Sequence, residues 1–226
     1  MKWEIPKLWL NETVFIIGGG PSLIGQDMCL PPRDGRYGLE AYLHDQHVIG
    51  VNSAFYFGDW VDICFFGDAK WYWWHENELK KFEGVKVTCD IVVNGNDRSV
   101  RNEADIKFIE RRFEGGGLSK NGKIKWNSSS GGCAIDLANR LGAERIVLLG
   151  YDMRNHGVNT EYAMLGCRNF MPHCQWTKTK PDPFKDQMKT FNKIKADADS
   201  FGIEILNATP NSAVTVFKKI NLVDIF

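Results

Sequence analysis

Glycines in a row, serines ahead of a helix, and single acids or amides closing apolar runs are the means by which a chain holds a phosphorylated small molecule. All three occur here. "IIGGGPSL" ends an apolar run on Gly18, Gly19, Gly20, Pro21 and Ser22, so a main chain bare of side chains can approach a ligand, with the Ser22 hydroxyl beside its N–H groups. The segment has no Walker lysine and is not the full G-x-G-x-x-G fingerprint; a strained turn explains it as well as a ligand does. "SSSGG" sets Ser128, Ser129, Ser130 and Gly131 before a helical stretch whose unpaired N–H groups attract phosphate or carboxylate. An ordinary serine N-cap is the competing reading. Asn52 closes another apolar run, where its carboxamide can both donate to and accept from a base or sugar. Asp68 and Asp152 each end a further run; carboxylates there hold a divalent metal or simply cap helices.

His173 is the histidine best placed for proton transfer, shortly before the stretch that starts at Pro183, because imidazole titrates nearest neutrality. The neighbouring "CRNFMPHC" invites zinc through Cys167, His173 and Cys174, but a structural zinc site normally uses a C-x-x-C pair, which the chain lacks. "WYWW", with Trp71, Trp73 and Trp74, can stack on a base or sugar, although aromatics on a helix beside a sheet more often belong to the core.

These residues need elements to hold them. Apolar runs of strand length recur at residues 13–18, 47–53, 61–68, 86–93, 144–152 and 203–209, most of them continuous, as in strands covered on both faces. Helical spacing occupies 70–82, 99–113, 131–142 and 183–202, the last two stretches ending in glycine. Alternating strands and helices predict an α/β fold, doubly wound, with a mostly parallel sheet and helices on both faces. In such a sheet ligands bind outside the carboxyl ends of the strands, where the strand order reverses. Those ends read "GGGPS", "VNS", "FGDAK", "GYDMR" and "NATPNS". Residues 154–180 show neither period yet are rich in aromatics, His and Cys, which predicts a lid or binding loop. With no linker or repeat, a single domain over 1–226 is expected.

Composition narrows the function. Lys plus Arg and Asp plus Glu both number 28 among 226 residues, which argues against nucleic acid as the partner. The first residues lack a secretory signal, and no segment is long and apolar enough to span a bilayer. The six cysteines are therefore expected to be reduced, in a cytoplasmic protein.

Taken in order, "IIGGGPSL", "VIGVNSAFYF", "SSSGGCAIDLANRLGAERIVLLGYDM" and "IEILNATPNSAVTVF" resemble the small bacterial sialyltransferases of glycosyltransferase family 42. They also resemble the related motility-accessory-factor proteins and the 6-hydroxymethylpterin diphosphokinase-like proteins. The likeness runs from Val14 to Phe217. It implies a Rossmann-like fold binding a nucleotide across Gly18–Ser22, Asn52, the Ser129–Gly131 helix start and Asp152. It also implies a CMP-activated sugar donor, no required metal or other cofactor, and a histidine, here His173, that deprotonates the acceptor hydroxyl. Two tyrosines stabilise the departing phosphate in that family. Arg154 stands at the first of these positions, and Tyr162 matches the second if a short insertion is allowed. Arginine is a capable phosphate clamp, but the departure bears on which sugar is carried.

The expected partners are thus a nucleotide-sugar and a hydroxyl acceptor, with a homo-oligomer left open. Two alternatives stand beside the glycosyltransferase. One is a Mg-ATP-dependent diphosphokinase with the metal on Asp68 and Asp152; the other is a non-catalytic nucleotide-binding protein.

Overall fold

The computed structural model describes residues 3–89, 100, 103, 105–154 and 184–226. Its centre is an eight-stranded sheet in the order β10-β9-β8-β1-β2-β3-β4-β5, with every pairing parallel. The strands of the first half are β1 (Thr13–Ile17), β2 (His47–Val51), β3 (Ile63–Phe66), β4 (Val85–Thr88) and β5 (Ile106–Phe108). Those of the second are β8 (Arg145–Leu149), β9 (Glu204–Asn207) and β10 (Lys218–Lys219), while β6 (Arg111–Arg112) and β7 (Ile124–Lys125) pair separately. The chain runs from β1 outward to β5, then returns to the other side of β1 as β8. The order therefore reverses between β1 and β8, as a doubly wound, Rossmann-like sheet requires.

Both faces are covered. Val14 and Ile16 point into one core, with residues of α4 (Ser130–Leu141) and α5 (Phe184–Phe201). Phe15 and Ile17 point into the other, with residues of α1 (Ser22–Cys29), α2 (Glu40–Leu43) and α3 (Ala69–Leu79). Successive side chains of a strand face opposite ways, so β1, apolar at every interior position, serves two cores at once. α4 and α5 end at Gly142 and Gly202, with φ of 108° and 73°; these left-handed termini are the glycine stops of the sequence.

One predicted helix is corrected. Within the 99–113 stretch, residues 106–108 and 111–112 are strands. Ile106 and Phe108 are buried while Lys107 is exposed, a period of two that a short apolar run hides from any helical count. Pairing with β4 decides the matter. The core reading of "WYWW" holds for Trp71 and Tyr72, which are 3% and 2% exposed. Cys64, Cys89 and Cys133 are buried free thiols, and Cys29 is an exposed one. Among the described residues no helix is long and apolar enough to cross a membrane.

The tips of β1 and β8 touch. Gly18 N–H donates to Leu149 O at 2.7 Å and Gly20 N–H to Gly150 O at 2.8 Å. A Cβ on Gly18 would lie 2.8 Å from Gly150 O, and one on Gly20 would lie 2.5 Å from that oxygen and collide with the Asp152 carboxylate. Gly20→Ala is therefore expected to cost about 1–3 kcal/mol. Gly25→Ala, on α1 with nothing within 4 Å of the added methyl, is expected to gain about 0.5–1 kcal/mol. Urea unfolding of both variants checks the pair, and equal midpoints would show that the two tips are not in tight contact.

Candidate functional site

A crevice opens where the strand order reverses. Its wall combines the tips of β1 (Gly18, Gly19, Gly20, Pro21), β2 (Asn52, Ser53) and β8 (Tyr151, Asp152, Met153, Arg154) with the start of α4 (Ser129, Ser130, Gly131). Phe184 and Gln187, from the first turn of α5, complete it. Three of the five strand ends expected to converge thus do so. Thr209, from "NATPNS", stands behind the wall and accepts Tyr151 N–H on Oγ1 at 2.9 Å. Asp68, from "FGDAK", does not line the crevice; it caps α3 by accepting Lys70 N–H at 2.9 Å.

Most polar side chains of the wall already have hydrogen-bond partners. Ser22 lies behind the wall, its hydroxyl donating to Asp152 Oδ2 at 2.7 Å and its N–H to Oδ1 at 3.2 Å. Asp152 thereby caps α1 from across the sheet, an acid at a helix N-terminus where the dipole favours it. Ser129 caps α4 by accepting Gly132 N–H at 3.0 Å, and Ser130 Oγ accepts Gly67 N–H from the tip of β3 at 3.2 Å. The Tyr151 hydroxyl donates to Gly131 O at 3.0 Å, and burial holds that phenol well above its ordinary pKa, so it stays protonated. α4 is braced further back. Asp136, fully buried, accepts Ser119 N–H, Lys125 N–H and Asn139 Nδ2 at 2.7, 2.8 and 3.0 Å, although burial pushes its pKa up.

Some residues that line the crevice carry unbonded groups. Among the described residues, Asn52 Oδ1 and Ser53 Oγ are buried without a hydrogen-bond partner, a state that is costly unless a ligand or water supplies one. Asn52 has φ of 53°, Met153, past the end of β8, has 49°, and Ser128, just before α4, has 60°; non-glycine residues in this region cluster where function holds them. Ser130 and Gly131, at the first turn of α4, have N–H groups with no intrahelical acceptor. Among the described residues, Gly19 N–H also has no acceptor. The arrangement is a set of donors with one adjacent acceptor, suited to a phosphate and a neighbouring hydroxyl.

The crevice measures 110 Å³, less than the roughly 300–1,000 Å³ of clefts that enclose a whole small ligand. A hollow of that size has room for a phosphate-sized group but not for a whole nucleotide. A larger groove of 710 Å³ follows the β9–β10 edge. There Arg145 is paired with Glu204 at 2.6 Å, and among the described residues no buried polar atom without a partner lines it, so the smaller hollow is the better candidate. Among the described residues no group of three or more His, Cys, Asp or Glu side chains is arranged to hold a metal ion. His173 and Tyr162 lie outside the described residues, as does the 154–180 loop beyond Arg154, which is exposed. Sequence reading placed Ser53 and Tyr151 within the strand ends "VNS" and "GYDMR" without singling them out, and it missed Phe184 and Gln187, since nothing marked the α5 residues.

No protein-family model matches the sequence, and no curated protein does. The fold is similar to that of the sialyltransferase CstII from Campylobacter jejuni in complex with the substrate analogue cytidine-5'-monophosphate. That match has 15% sequence identity and a TM-score of 0.51, over 92% of this chain and 84% of that one. A structure of the same enzyme with CMP-3FNeuAc matches over the same shares at 13% identity and a TM-score of 0.47.

Two substitutions separate frame from free groups. Asp152→Ala, which strands the donors of Ser22, is expected to cost about 1.5–3 kcal/mol. Asn52→Gly keeps a backbone that accepts positive φ and removes an oxygen with no bond to lose, so stability should change by no more than about 0.5 kcal/mol. Thermal unfolding reads both, and a large loss for Asn52→Gly would assign that side chain to the frame.

Proposed function

We propose that the protein is a glycosyltransferase using a CMP-activated sugar, without a metal ion. The observation that carries the reading is the pair of buried, unpartnered atoms Asn52 Oδ1 and Ser53 Oγ. They stand beside the free N–H groups of Gly19 and the α4 start, in a crevice at the strand-order reversal. The likeness in fold to a sialyltransferase supports the choice of donor. The absence of a metal requirement is supported by the employment of both candidate carboxylates, Asp68 and Asp152, as helix caps.

The phosphate of the donor lies across Gly19 and the first turn of α4, where N–H groups meet the negative charge that grows as the bond to the sugar breaks. Donors fixed before the reaction stabilise such charge without reorganising. Arg154, at the crevice wall and exposed, adds a guanidinium to the departing phosphate, with Tyr162 as a second donor. Asn52 and Ser53 hold the adjoining ribose hydroxyls. The acceptor oxygen attacks the sugar carbon, the carbon–oxygen bond to the phosphate breaks with CMP leaving, and His173 takes the acceptor proton. A base so placed contributes roughly 10²- to 10⁴-fold. The loop that begins at Arg154 covers the donor and excludes water, which would otherwise hydrolyse it.

A melting screen with CMP, CDP, UDP, GDP and ATP, each with and without Mg²⁺, tests this. A ligand at a hundredfold its Kd adds about 2.7 kcal/mol, or roughly 5–10 °C for a chain of this size. CMP is expected to give that shift with chelator present, and Asn52→Gly to abolish it. A shift confined to Mg-ATP would overturn the reading in favour of a diphosphokinase. CMP binding with no CMP release from any activated sugar would leave a nucleotide-binding protein without the reaction.

A further inference from the structure

A glycosyl transfer needs a second molecule, and beside the tip of β3 stands a cation suited to part of it. Arg111, in β6, is half-buried. Its guanidinium carbon lies 4.1 Å from the centre of the Trp126 ring and 5.1 Å from that of Phe113, and Nη1 donates to Gly67 O at 3.3 Å. Among the described residues no carboxylate comes within ion-pair distance of it, and its Nε is buried with no acceptor. A guanidinium offers five N–H donors in a planar fork that fits a carboxylate two-pronged. Here two rings flank the guanidinium, and among the described residues its charge has no counter-ion.

The same Gly67 whose carbonyl receives Arg111 donates its N–H to Ser130 Oγ, and Ser130 is in the crevice wall. Arg111 therefore stands one residue beyond the crevice, on the β3 side, away from the β1–β8 contact. The free N–H groups at the start of α4 add positive potential on that side. Phe113, 56% exposed, offers an apolar face next to the cation, and sugar rings present apolar C–H faces of that kind. We infer that Arg111 anchors the carboxylate of an acidic sugar acceptor, beside the donor crevice. The inference rests on the glycosyltransferase reading above.

The test is a calorimetric titration of the whole chain with methyl β-glucuronide and with methyl β-glucoside, which differ in the carboxylate, each without nucleotide and at saturating CMP. The wild type is expected to prefer the glucuronide by roughly 10- to 100-fold, the value of a charge-assisted pair. Arg111→Met should abolish the preference, and Arg111→Lys, which keeps the charge and loses the fork, should retain only a fraction of it. CMP affinity should be unchanged in both variants. Equal affinity for the two glycosides in the wild type overturns the anchor, as does a preference that survives in Arg111→Met or, should that variant not fold, one undiminished in Arg111→Lys. A fall in CMP affinity on changing Arg111 also overturns it, by moving the cation into the donor site. Failure of CMP to bind the wild type counts instead against the crevice reading, because the nucleotide-free titration judges Arg111 independently.

Discussion

The closeness of the β1 and β8 tips is the constraint from which the rest of the site follows. Two main-chain bonds and one carboxylate draw the tips together, with Gly18 and Gly20 each donating to the end of β8 and Asp152 reaching back to Ser22. No side chain fits in that gap. The triple glycine is thus accounted for first by chain packing: two of its three N–H groups are spent on the end of β8, and among the described residues Gly19 N–H has no acceptor. A ligand approaching this backbone meets a frame that is already closed behind it.

Around that contact the molecule divides its polar groups in two. Serines and the tyrosine of the wall bond to main-chain groups and Asp152 to Ser22 behind it, and Asp136, Ser119 and Asn139 lock α4 from behind. On the β9 side, Thr209 and Ser212 hold the main chain of Tyr151, Ser212 Oγ donating to Tyr151 O at 2.5 Å. Left over, among the described residues of the wall, are a few N–H groups, one amide oxygen and one hydroxyl. A small set of free groups on a fully bonded support is what preorganised binding requires, since nothing need be broken before the ligand is met.

Much of the secondary structure was legible. Strands buried on both faces leave long apolar runs, and helices that end in a left-handed glycine mark their own stops, so six strands and three helices fall where the pattern puts them. The 99–113 stretch failed for a physical reason. Ile106, Phe108 and Ile109 satisfy either period over so short a span, and the choice was made by the free edge of β4, which lies outside the segment. The short helix α1 was also hidden, because its start is capped by Asp152, 130 residues away, with no cap of its own in the sequence.

The sequence by itself determined the alternation of elements, hence the class of sheet and the rule that ligands sit at its carboxyl ends. It also determined which residue types stand at those ends: glycine, asparagine, serine and aspartate. Tertiary structure alone decided which of them meet. The order β8-β1-β2 put three tips around one crevice and sent "NATPNS" behind it, and it turned Ser22 and Asp152 toward each other. A side chain's role depends on whether its hydrogen bonds are already used, and the partners that use them come from distant parts of the chain.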